Sequence, residues 1–155
     1  MEPVLQKIKA LINQYGTNCP FKIAKHLGIE ICFENLGKSL GYFSHSFRIK
    51  IIHINENASE HQKKFICAHE LAHAIFHADA NTPFLKRNTL FSTNKIELEA
   101  NFFAVQLLFS EHFFNDQISL NDAVKYYGIP KEFILNNLKG DLIYGNIPQI
   151  QKERI

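Results

Sequence analysis

The chain has 155 residues, of which 21% are charged, and a formal net charge of +2. That length suits about one domain, large enough to bury roughly two thirds of its unfolded surface and to fold without disulfide staples. So small a charge excludes bulk electrostatic attraction to nucleic acid or membranes as a basis for function, which must therefore reside in a site.

At the N-terminus, Val4, Ile8, Leu11 and Ile12 recur on one helical face before Gly16, and a second short helix is expected over about Phe21 to Leu27, ended by Gly28. The first of these stretches mixes apolar and charged residues, so it lacks the unbroken apolar run of a secretion signal, and nothing later reaches membrane-spanning length. A soluble, cytoplasmic protein is the expectation. From Ile29 the period changes: IEICFEN, GYFSHSF and RIKIIHIN alternate, with turn residues between them, and read as three antiparallel strands within 29–55.

NASEHQKKFICAHELAHAIFHAD then contains no Gly or Pro and offers Asn57 or Ser59 as N-cap. It predicts one long helix, and apolar residues around its whole circumference make that helix central. Asn81 to Asn94, with Pro83, reads as a loop, after which KIELEANFFAVQLLFSEHFF resumes a helical pattern. These two helices form a pair over 58–114. SLNDAVKYYGIPKEFILNNLK reads as helix, a break at Gly128, Ile129 and Pro130, and helix again over 119–139, followed by a tail over 140–155. No repeat or shift in composition marks a second domain, so 1–155 is expected to be a single α+β domain.

Cys19, Cys32 and Cys67 are odd in number, form no close CxxC pair and sit in apolar contexts. They suit a reducing compartment and read as small core residues.

The chemistry is concentrated in FICAHELAHAIFH. His69, Glu70, Leu71, Ala72 and His73 fit the pattern HExxH. Residues four apart on a helix lie on nearly the same face, about 6 Å along the axis, so two such imidazoles can hold one Zn²⁺. Glu70 is turned about 100° from the first of them, still near enough to take a proton from water at the metal. The bland alternative is a pair of satisfied core histidines. A catalytic zinc usually takes a third protein ligand, and IELEANFF offers Glu97 and Glu99. These lie about 200° apart on a helix and cannot easily face the same ion. Glu97 reads as a solvated first-turn residue that favours the helix dipole, whereas Glu99 lies deeper, aligned with Phe103 and Gln106, and is the better candidate.

With these motifs in place, the chain resembles the ImmA/IrrE-type zinc metallopeptidases, small bacterial and phage proteins associated with helix-turn-helix repressors. The likeness runs through PFKIAKHLGIEI, KIIHIN, QKKFICAHELAHAIFH and ELEANFFAVQLL, from about Pro20 to Leu108. Its more telling part is the core of Glu99, Ala100, Asn101, Phe103 and Ala104 following HExxH. Ala72 departs from the glycine common in the family, and Phe109 to Glu111 replaces a frequent Met-Pro.

The resemblance implies a small antiparallel three-stranded sheet packed on a mainly helical, zincin-like core, one catalytic Zn²⁺, His69, His73 and Glu99 as its ligands, and Glu70 as catalytic base. His77 matches a histidine common in the family and is expected to be structural or to support the ligands, as Asn101 and Asp79 could. Tyr42 and His45, on the strands before the metal helix, could polarise a substrate carbonyl or line the cleft. The implied activity is a zinc endopeptidase in which peptide adds beside the small sheet and which cleaves a helix-turn-helix repressor of a phage or mobile element. A contrasting reading is a zinc-containing anti-repressor that acts by contact without proteolysis. Direct nucleic-acid binding through 119–139 is disfavoured, because the second helix there is poor in basic residues, with Lys131 and Lys139 at its ends.

Overall fold

A computed structural model describes residues 2–79 and 94–115, with side chains described through 109. The first helix, α1 (Glu2–Tyr15), buries Val4, Leu5, Ile8 and Leu11, the face that the helical spacing marks out. After it, α2 (Pro20–His26) begins on Pro20, whose missing N–H costs nothing in a first turn, and stacks His26 on Tyr15 at 4.7 Å between ring centroids. Gly28, at φ 69°, supplies the left-handed residue that turns the chain into the sheet.

Three strands follow: β1 (Ile29–Glu34), β2 (Gly41–Ser46) and β3 (Ile49–Asn55). The spatial order is β1-β3-β2, with β2 antiparallel and β1 parallel to the central β3. The sheet is therefore mixed, which corrects the all-antiparallel expectation. The reason lies in residues 35–40, which carry the chain from the end of β1 to the far side of β3 instead of folding it straight back.

Asn55 holds that crossing in place. Its side-chain amide donates to the carbonyls of Gly37 at 3.1 Å and Ser39 at 2.8 Å, and its carbonyl oxygen accepts from the Asn57 amide. On either side, the Asn55 amide donates to Leu40 O and the Glu56 amide to Glu34 O. The end of β3 is thus tied to both neighbours, and Asn55 is buried with its hydrogen bonds made.

Next, α3 (Glu60–Phe76) opens with a reciprocal cap: Ser59 Oγ accepts from the Gln62 amide and Gln62 Oε1 accepts from the Ser59 amide. Such a cap stabilises a helix start by about 1 kcal/mol. Every residue from Phe65 to Ala74 is buried. The helix packs on the sheet and against α4 (Lys95–Asn115), which is buried continuously from Ala100 to Phe109. One cluster of apolar side chains joins α1, α2, the inner face of the sheet, α3 and α4. Among the described residues, no helix is long and apolar enough to cross a membrane. The expected loop over most of Asn81 to Asn94, the helix pair over 119–139 and the tail over 140–155 lie outside the described residues.

The β2–β3 hairpin turns on Phe47 (φ 48°) and Arg48 (φ 75°), both left-handed without being glycine, and Phe47 is 97% exposed. Side chains with a Cβ are strained there, and little packing is at stake. Replacing the pair with Phe47→Asn and Arg48→Gly is expected to stabilise the protein by about 1 kcal/mol in chemical denaturation. An unchanged or lower midpoint would show that the turn is not strained.

Candidate metal centre

One turn apart on α3, His69 and His73 bring their Nε2 atoms to 3.1 Å. Glu97, in the first turn of α4, faces both, with Oε2 at 3.4 Å from His69 Nε2 and Oε1 at 3.3 Å from His73 Nε2. All three residues are at most 1% exposed. The turn that carries Glu97 is fixed by Asn94, whose side-chain oxygen accepts from the Ile96 amide.

This donor set fits a metal ion. Nδ1 of either imidazole and both oxygens of Glu97 are buried without a well-formed hydrogen bond among the described residues. Leaving such groups unsatisfied costs on the order of 1–3 kcal/mol each. Ligands held at about 2.0–2.1 Å around a tetrahedral ion stand roughly 3.3 Å apart, close to the three separations here. Two imidazoles and one carboxylate also form a set that catalytic zinc accepts, leaving a fourth position open.

The charge states suit that use. Burial acts to raise the Glu97 pKa, but the imidazoles of His69 and His73 facing it outweigh burial and lower the carboxylate to about 2. Burial pushes the His73 imidazole down, towards the neutral form that ligates. Glu70, fully buried beside them, is pushed well above the usual carboxylate range, first by burial and then by the Glu97 charge, with the backbone amide of Phe43 opposing. A cation among the three ligands would draw it back down.

The sheet approaches Glu70 through Gly41. A Cβ at this position would lie 2.4 Å from Ile66 Cγ2, 2.8 Å from the His53 carbonyl and 3.7 Å from Glu70 Cγ. Only glycine lets β2 come so near α3. In the spatial order, β2 is an edge strand among the described residues. Leu40 accepts from the Asn55 amide, and hydrogen-bonded pairs recur at every second residue of an antiparallel ladder. Gly41, Phe43 and His45 therefore turn their backbone groups away from β3, towards the edge that is unpaired among the described residues, beside Glu70.

Glu99, the third ligand expected from the sequence, is not brought to the imidazoles. It lies 3.2 Å from His77 Nε2 and 4.0 Å from Lys95 Nζ, part-exposed, on a face of α4 away from Glu97. Glu97 takes the position beside His69 and His73, because its side of the first turn of α4 faces into the protein, while Lys95 and Leu98 face solvent. A signal was present: Ala100, Asn101 and Ala104 follow Glu97 by three, four and seven residues, so all four share one buried helical face.

His77 closes α3, its amide bonded to His73 O, and Asn101 is buried. Asp79 is exposed beyond the helix end. Tyr42 is not directed at α3: it lies on the opposite face of β2 from Phe43, stacked on His53 at 4.2 Å. His45 is on the Phe43 side, exposed near the hairpin end, with ring centroids 6.4 Å apart.

Comparison with known proteins gives an independent line. The model of the IrrE N-terminal-like domain, a peptidase family, matches residues 24–139. The chain is 38% identical over 130 residues to the uncharacterized immunity region protein 2 of Bacillus phage phi105, a match covering 81% of this chain and 82% of the relative. To the metallopeptidase ImmA of Bacillus subtilis strain 168 it is 29% identical over 135 residues, covering 82% and 79%.

Two outcomes follow from the geometry. In competition with a chromophoric chelator, Glu97→Gln is expected to weaken zinc binding more than about 100-fold and Glu99→Gln by about tenfold or less, with the reverse order contradicting the placement of Glu97. Gly41→Ala is expected to destabilise the protein by about 1–3 kcal/mol in chemical denaturation, and a neutral result would show that β2 can retreat from Ile66.

Proposed function

Because the chain belongs to the IrrE N-terminal-like peptidase family, we propose that it is a zinc-dependent endopeptidase of the HExxH type whose substrate is a helix-turn-helix repressor of a phage or mobile element. The observation that carries this reading is the convergence of His69, His73 and Glu97, with buried Glu70 beside them and the free edge of β2 alongside. His69, His73 and Glu97 hold the ion. Bound there, zinc supplies Lewis acidity, which polarises a carbonyl and brings the pKa of water to about 7.

The protein's own groups perform the rest. An extended peptide adds along β2, its backbone hydrogen-bonded to the outward carbonyl of Phe43 and the outward groups of His45, which places a scissile carbonyl beside α3. Glu70 accepts a proton from the attacking water as its oxygen bonds to the carbonyl carbon. The same carboxyl then delivers that proton to the amide nitrogen as the C–N bond breaks. Glu70 is buried beside the ligands, so it holds the proton away from bulk water between the two steps. Glu97, by contrast, stays ionised and keeps its role as a ligand.

The choice of substrate rests on the relatives. One is named for a phage immunity region and another as a metallopeptidase. A protease serving such a region acts on protein, and a cytoplasmic repressor is the target that gives cleavage a regulatory effect.

Incubated with the repressor encoded beside its gene, the purified protein is expected to yield two discrete fragments, and chelation should abolish them. Glu70→Gln should retain the metal yet cleave at least about 100-fold more slowly. Cleavage at the normal rate by that variant would refute the mechanism. Relief of repression by it would favour action by contact.

A further inference from the structure

The outer face of the sheet, turned away from Ile52 and Ile54, carries a second group of metal-ligating side chains. Cys32 and Glu34 alternate along β1 onto that face, and Cys32 pairs directly with His53 of β3. One ligand atom from each of Cys32, Glu34 and His53 lies within 4.8 Å of the other two. His53 is held on both sides of its ring: Nδ1 is 2.5 Å from Glu34 Oε1, and Nε2 is 2.9 Å from Ser44 Oγ. Tyr42 covers the ring, its plane within 5° of parallel, and interacts with Glu34 through its hydroxyl. Cys32 is therefore no plain core residue, as its apolar sequence context suggests, but a half-buried thiol facing an imidazole and a carboxylate.

We propose that Cys32, Glu34 and His53 form a second transition-metal site, which takes a divalent ion of the zinc class through a thiolate, an imidazole nitrogen and a carboxylate oxygen. The donor set decides the class: a thiolate beside an imidazole selects zinc, cobalt or copper over magnesium or calcium. Ser44 acts as the outer partner that orients the ring. In the neutral imidazole, Nδ1–H donates to Glu34 and the Ser44 hydroxyl donates to Nε2. On binding, the thiol proton leaves to solvent and the ring proton moves from Nδ1 to Nε2, where Ser44 turns round to accept it. The lone pair freed on Nδ1 then faces Cys32 and Glu34. Three strands supply the parts, since the ion cross-links β1 to β3 and Ser44 comes from β2, so occupancy braces the sheet that supports α3. The site lies across the sheet from His69 and His73 and does not depend on what they bind.

Cobalt separates the two sites, because only a thiolate ligand gives the near-ultraviolet sulfur-to-cobalt charge-transfer band. The full-length protein, stripped of metal and titrated with Co²⁺, is expected to bind two ions per chain and to develop that band. Glu97→Gln should keep the band, whereas Cys32→Ser should lose it and bind one ion, with Cys19 and Cys67 left in place. Circular dichroism checks the fold of each variant, and His53→Gln serves as a second probe that should also lose the band. One ion per chain without the band in the wild type, or a band that survives both Cys32→Ser and His53→Gln, overturns the proposal.

Discussion

Four ionisable side chains, His69, Glu70, His73 and Glu97, are buried where two apolar helices meet, and the packing of the rest of the described structure holds them there. An isolated carboxylate in such surroundings would be driven towards its neutral form, as Glu70 is. Glu97 escapes that fate because two imidazole nitrogens face it from one turn of α3. Their convergence requires a fixed register between α3 and α4. A second, part-exposed pair, His77 with Glu99, contributes a further link between the same two helices.

The sheet answers to the same constraint from the other side. Gly41 lets β2 approach Ile66 and Glu70, while Asn55 anchors the crossing loop that brings β2 to the far side of β3. In consequence the edge strand β2, together with the central β3, borders α3. The two faces then divide the work. The inner one is apolar and supports α3, whereas the outer one gathers Cys32, Glu34, Ser44 and His53.

Features encoded locally were legible in the sequence. The buried face of α1, the Ser59 cap and the pairing of His69 with His73 each depend on spacing within a few turns of one helix. Features that depend on partners distant in sequence were not. Alternation in IEICFEN marks a strand but carries no information about its direction or its neighbour, so the parallel pairing of β1 with β3 was out of reach. The choice between Glu97 and Glu99 turned on how the first turn of α4 meets α3, and a first turn is more often solvated. Parity along β2 was available in principle: since Gly41 and Phe43 face the helix, Tyr42 faces away and meets His53 instead.

The claim on which the account rests is that His69, His73 and Glu97 together hold one metal ion. Anomalous diffraction from crystals of the zinc-loaded protein, recorded on either side of the zinc absorption edge, locates such an ion directly. A peak bonded to His69 Nε2, His73 Nε2 and a Glu97 oxygen is the predicted result. A peak bonded to Glu99 and His77 instead, or none between α3 and α4, would contradict it.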